Sequence, residues 1–131
     1  MASQRIEDEL ELLKVRHPDL EFVEEGLWVK LPGINLPQGW SPGGVDILFQ
    51  FKSGYPQEVF YGFFTPTGML INEVTPQNYT NVAEAQPPFP GTTWAFFSGN
   101  PDPWQPKAEI QSGSNVLTWV QSIHARFMEK L

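Results

Sequence analysis

The chain has 131 residues, 40% of them hydrophobic and 18% charged, with a net charge of -7 and a pI near 4.7. That acidic balance argues against a nucleic-acid or anionic-membrane partner, which needs a basic surface, and the complete lack of cysteine excludes disulfides and thiolate metal sites. The length suits one domain over residues 1–131, and ten Phe, five Trp, three Tyr and thirteen Pro imply a sheet core with many rigid connections.

Residues 3–16 read as a helix that Ser3 can cap, with Glu7, Asp8 and Glu9 near its positive end and Lys14 and Arg16 at its negative end. Ile6, Leu10 and Leu13 form its apolar stripe, and Glu7, Asp8, Glu9 and Glu11 read as a solvated face. Pro18 stops the helix at His17. Extended segments are expected at Leu20–Val23 and Leu27–Leu31, separated by the turn residues Glu24, Glu25 and Gly26. Val45–Lys52 alternates, with Val45, Ile47, Phe49 and Phe51 on one face, and Glu58–Phe64 is an apolar, aromatic run expected as a further strand. Between them, Leu31–Gly44 is Pro- and Gly-rich and is expected to be irregular, and Ser53–Gly54–Tyr55–Pro56 is a tight turn.

Met69–Val74 is a candidate short strand, Thr75–Pro90 an ordered Pro-rich surface loop and Trp94–Phe97 a brief apolar run. The last segment is a helix capped by Ser114 or Asn115, with Leu117, Val120, Ile123, Phe127 and Leu131 as its stripe. The fold class is therefore α+β: an N-terminal helix, an antiparallel meander of about four strands, an irregular Pro-rich segment and a C-terminal helix. No apolar run approaches the roughly 18 residues of a membrane span. Charged residues follow the first few positions directly, so no signal peptide is expected and the protein is expected to be cytoplasmic.

Three local motifs carry a resemblance. Phe49-Gln-Phe-Lys-Ser-Gly-Tyr-Pro56, followed by Val59-Phe-Tyr-Gly-Phe-Phe-Thr-Pro66, resembles the strand, Tyr-Pro, strand pattern of the ubiquitin-conjugating (UBC) fold. Trp104-Gln-Pro106 resembles the Trp-x-Pro that follows the active-site loop of conjugating enzymes. Gly91-Thr-Thr-Trp-Ala-Phe-Phe-Ser98, then Pro103-Trp-Gln-Pro106 and a closing helix with Leu117-Thr-Trp-Val120, is similar to the bacterial family E branch of that superfamily. Together the matches cover roughly residues 20–130.

The departures from that pattern shape the functional expectation. Conjugating enzymes carry their cysteine about eight residues before the Trp-x-Pro tryptophan, because a thiolate is needed to hold an acyl group as a thioester. Here that window runs from Trp94 to Ser98 around Phe96, with Ala95 and Ser98 flanking it, and none is a cysteine. The His-Pro-Asn motif that supports the oxyanion in those enzymes is also absent; Asn78 and Asn81 fall in the matching stretch without it. Transfer by the usual thioester route is excluded for this chain.

By analogy with catalytically inactive members of the fold, the resemblance implies a non-catalytic component of a bacterial ubiquitin-like modification system. It would bind a ubiquitin-like protein or an activating enzyme through its sheet face or the loop at 75–90. Two alternatives remain open. One is a divergent conjugating enzyme that uses Ser98 to form an oxyester, for which a neighbouring base is needed. The other is a peptide- or small-ligand-binding module built on aromatic, Pro-rich loops. The candidate binding residues are Trp40, Tyr55, Asn78, Tyr79, Phe89 and Trp104, of which Trp40, Tyr55, Tyr79 and Phe89 must either dock inward or face a partner. No motif calls for a cofactor, and His17 and His124, at opposite ends of the chain, read as isolated rather than as metal ligands. Oligomeric state leaves no signal in the sequence.

Overall fold

The computed structural model describes residues 2–129. Helix α1 (Gln4–Arg16) begins where the sequence pattern places it, with the Ser3 hydroxyl accepting the Ile6 N–H at 3.2 Å. Strands β1 (Glu21–Val23), β2 (Trp28–Asn35), β4 (Gly44–Gln50) and β5 (Phe63–Pro66) follow as an antiparallel meander. Strand β8 (Trp94–Phe97) then pairs with β5, and β7 (Tyr79–Thr80) pairs with β8 at the edge. Among the described residues the main sheet has six strands, two more than the sequence pattern suggests, in the order β1-β2-β4-β5-β8-β7. A second, two-stranded sheet joins β3 (Trp40–Ser41) to β6 (Leu70–Ile71). Helix α2 (Val116–Glu129) closes the fold; Leu131 of the expected stripe lies outside the described residues.

Two expectations change. The stretch 31–44 is more regular than its Pro and Gly content suggests, because β2 continues through Pro32 and Gly33 by a register shift between Leu31 and Ile34. One extra residue there removes the demand for a ladder hydrogen bond from Pro32, as bulges do, and the Gly33 N–H donates instead to Asp46 Oδ1 at 2.9 Å. The run 58–64 is mostly not a strand. The Glu58 N–H donates to the Gly54 carbonyl and its carboxylate accepts the Gly54 N–H, which winds 54–58 into a turn and drops Phe60 into the core.

Both helices cover the inner face of the sheet. Val29, Leu31, Ile47, Phe49, Phe63 and Phe97 point toward Leu10 and Leu13 of α1 and Trp119, Ile123 and Phe127 of α2 in one continuous core. Aromatic rings dominate it: Phe60 stacks on Trp119 at 5.3 Å and 2°, and Phe63 on Phe97 at 5.0 Å and 10°. Asn115, one of the two expected caps, begins α2 by accepting the Thr118 N–H at 3.1 Å, while its own N–H donates to Thr118 Oγ1 at 2.9 Å.

One helix residue departs from its expected place. Glu9 is completely buried rather than part of a solvated face. Its carboxylate accepts from Arg5 Nε (2.8 Å), from the Val116 N–H at the first turn of α2 (2.7 Å), and from the Tyr55 hydroxyl through a short bond. A single side chain thus ties α1, the Tyr-Pro turn and the positive end of α2 together. Burial and the bond to Glu9 push the Tyr55 hydroxyl well above its ordinary value, so it remains a donor.

Candidate functional site

The outer face of the sheet is built by the alternate residues of its strands. Register places Lys30, Leu48, Phe64, Phe96 and Thr80 in one row across β2, β4, β5, β8 and β7. The segment after β7 folds back over one end of this face. Gln86 anchors it: its side chain accepts the Trp94 N–H at 2.8 Å and donates to the Trp94 and Ala83 carbonyls at 3.0 and 2.9 Å. Phe89 then packs on Trp28 and Trp94, and Trp94 Nε1 donates to the Phe89 carbonyl at 3.2 Å. Beyond that strap the face is open. A groove of about 320 Å³ remains between Phe64, Phe96 and Thr80 on the sheet and Ala83, Glu84 and Ala85 on the segment. Its surroundings include the exposed Tyr61, whose ring lies 5.9 Å from that of Phe96, and Val82, exposed in the same segment.

The window for a nucleophile runs beside this groove. Ala95 is fully buried and lies on the inner face with its partner Thr65, so it offers no reactive group to the groove. Phe96 is half-buried on the outer face. Ser98 immediately follows β8, and every polar group it has is engaged with its neighbours. Its N–H and hydroxyl both donate to the Asn78 carbonyl, at 3.0 and 3.4 Å, and its own carbonyl accepts from Arg126 at 2.5 Å. No imidazole or carboxylate is bonded to the Ser98 hydroxyl among the described residues, so nothing there activates it.

Asn78 and Tyr79 come to the same place as Ser98, although the contact with Asn78 runs through its backbone. The Tyr79 ring packs on Phe97 at 4.8 Å, and its hydroxyl accepts the Met69 N–H at 3.1 Å and donates to Asn81 Oδ1 at 2.8 Å. Arg126 of α2 fastens this corner: besides Ser98 it donates to the Gln77 and Asn78 carbonyls, and its guanidinium lies 5.2 Å from the Phe97 ring centre. Nothing in the sequence singles it out, because its partners are main-chain oxygens supplied by remote loops.

The other candidates lie elsewhere. Trp40 is buried against Phe127 and Phe97 on the inner side, with Nε1 donating to the Phe127 carbonyl at 2.9 Å. Trp40 and Phe89 therefore stand on opposite faces of the sheet. Tyr55 and Trp104 meet each other at 5.9 Å, and Trp104 Nε1 donates to the Pro56 carbonyl at 2.9 Å, which joins the Tyr-Pro and Trp-x-Pro motifs directly.

The cysteine-free background allows this geometry to be probed. A thiol introduced by Ala95→Cys is expected to react with a thiol reagent at least tenfold more slowly than one introduced by Ser98→Cys, because only the second position reaches solvent. Equal rates under native conditions would contradict the placement of Ala95.

A family model described as Prokaryotic E2 family E matches residues 6–128. No curated protein and no solved structure matches the chain.

Proposed function

The chain belongs to the prokaryotic E2 family E, and from that premise we propose that it is a non-catalytic member of a ubiquitin-like modification system, which binds a ubiquitin-like protein or its activating enzyme. The observation that carries this reading is the pairing of an open apolar groove with a nucleophile window that holds no cysteine and no activated hydroxyl. A groove flanked by exposed Tyr61 and Val82 retains the means to recognise an extended apolar segment, while β8 supplies no atom to accept an acyl group. The net charge of -7 favours a partner surface of opposite sign.

The test uses a bacterial ubiquitin-like protein and its activating enzyme. Saturable binding to one of them is expected, with no covalent adduct in intact-mass spectra after incubation of all three with ATP. Thr80→Glu and Ala85→Glu, both at exposed groove positions, are expected to weaken that binding tenfold or more while leaving the circular dichroism spectrum unchanged. A hydroxylamine-sensitive adduct that disappears in Ser98→Ala would replace this reading with an oxyester-forming enzyme. Binding that survives both groove variants unchanged would remove the groove from it.

A further inference from the structure

His17 follows the last residue of α1 as its C-terminal cap, and His124 lies within α2. Packing of the two helices stacks their rings, with 6.4 Å between centroids and 12° between planes. Both are half-buried and border one cleft of about 340 Å³, which the end of α1 and the bulge residues Pro32 and Gly33 complete. The His17 backbone holds the chain where α1 ends. Its N–H donates to the Leu13 carbonyl at 2.9 Å, and its carbonyl accepts the Leu20 N–H at 3.1 Å. No carboxylate lies within ion-pair distance of either ring among the described residues.

We propose that this stacked pair is an acid-sensitive latch between the end of α1 and α2. Neutral imidazoles pack face to face without cost, whereas two imidazolium ions with centres 6.4 Å apart repel each other. Arg16 borders the same cleft, so acidification gathers three positive charges around it. Relief is local: His17 lies beyond the last residue of α1, and Pro18 follows it, so the rings part as this end of the helix lifts from α2.

The other charged groups around the pair do not cancel this repulsion. Asp19 is the one carboxylate that borders the cleft, and the negative end of the α1 dipole also favours a cation at His17. Burial and the neighbouring cations outweigh both. Burial holds the two imidazoles below their ordinary value, and His124 and Arg16 lower His17 further. Asp46 of β4, behind the bulge, is engaged by the Gly33 N–H and Lys30, and Lys14 of α1 pairs with Glu11. On α2, Arg126 reaches away to the Ser98 corner, and the charge of Glu129 acts on it there. The unfolded chain therefore takes up these two protons more readily than the folded one. The stability carried by the neutral pair is complete above the ordinary histidine value of about 6.5 and is lost as pH falls through and below it.

The latch is independent of the modification-system reading, and its test needs only the purified chain without an affinity tag. In urea denaturation the unfolding constant is expected to be about fivefold larger near pH 5.5 than near pH 7.5, and to change less than about twofold in the double variant His17→Gln, His124→Gln. In His124→Gln alone, the midpoint at which the His17 imidazole resonances titrate should rise, because the like-charged neighbour is gone. A purely structural role for His124 would leave it in place. Amide exchange of Leu20, corrected for the intrinsic effect of pH, should speed up on acidification more than that of Trp119, whose N–H donates to the Asn115 carbonyl within α2. A double variant with the wild-type pH dependence, a His17 midpoint that does not move in His124→Gln, or Leu20 exchange that rises no more than that of Trp119 would each overturn the latch.

Discussion

Glu9→Ala is expected to lower the folding free energy by about 3–5 kcal/mol, the range for removing one partner from a buried charged network. The loss exceeds that of a single hydrogen bond because three donors depend on this carboxylate: Arg5 Nε, the Tyr55 hydroxyl and the Val116 N–H. Alanine would leave all three without an acceptor, two of them in buried surroundings, and each stranded donor costs about 1–3 kcal/mol. Arg5 also loses its charge partner. One of its terminal nitrogens is already buried without a partner, while the other donates to the Lys107 carbonyl at 2.7 Å. In a chain of this size the change should lower the midpoint of thermal unfolding by roughly 10–20 °C. Glu9→Gln keeps an acceptor oxygen while losing the charge, and is expected to cost about 1–3 kcal/mol. Urea denaturation of the two variants checks the ranking. A loss below about 1 kcal/mol for Glu9→Ala would mean that these three elements are not held through this residue.

The second large effect is expected at Gly62, which connects the core to the groove. Its φ of +70° lies in the left-handed region, and a Cβ there would run into the Phe96 ring and meet the Phe97 carbonyl at 2.7 Å. The Gly62 N–H also donates to the Gly99 carbonyl at 2.5 Å, which pins the end of β8 against the start of β5. Gly62→Ala therefore combines a left-handed alanine, about 1–2 kcal/mol, with displacement of Phe96 and a backbone shift, for a total of roughly 2–4 kcal/mol. Because Phe96 forms a wall of the groove, partner binding should fall more than stability alone explains. A fully folded Gly62→Ala variant with unchanged partner affinity would separate the groove from the site.

Much of this architecture is legible in the sequence where local rules decide it. Ser3 and Asn115 cap their helices as their residue types predict, and Ile6, Leu10 and Leu13 pack where a 3.6-residue period puts them. The alternation from Val45 to Phe51 correctly assigns the inner face of β4. Leu48 is buried as well, because β4 is central and the opposite face is partly covered by distant segments. The failures have a common physical origin in long-range partnership. Glu9 sits within a run of helix carboxylates and looks like one of the solvated ones; only Tyr55, Arg5 and the start of α2 make its burial tolerable. Strands β3 and β7 have two residues each, too short to show any period, whereas the short strand expected within Met69–Val74 is found as β6. The pairing of His17 with His124 follows from helix packing and leaves no trace in local sequence.

The site is legible to the same degree. Counting back from Trp104 gives the segment that forms β8. The count cannot tell that Ala95 faces inward while Phe96 faces the groove; strand register decides that. Asn78 and Tyr79 are brought beside Ser98 because β7 pairs with β8, a contact that the Pro-rich composition of residues 75–90 obscures.

The most direct measurement is an amide chemical-shift titration of the labelled chain with a bacterial ubiquitin-like protein, with its activating enzyme and ATP present. Saturable shifts clustered on Phe64, Thr80, Ala83, Ala85 and Phe96 are predicted, and they should reverse fully when the partner is removed. Shifts confined to the helical face, or a spectrum that fails to return because an adduct has formed, would contradict recognition without transfer.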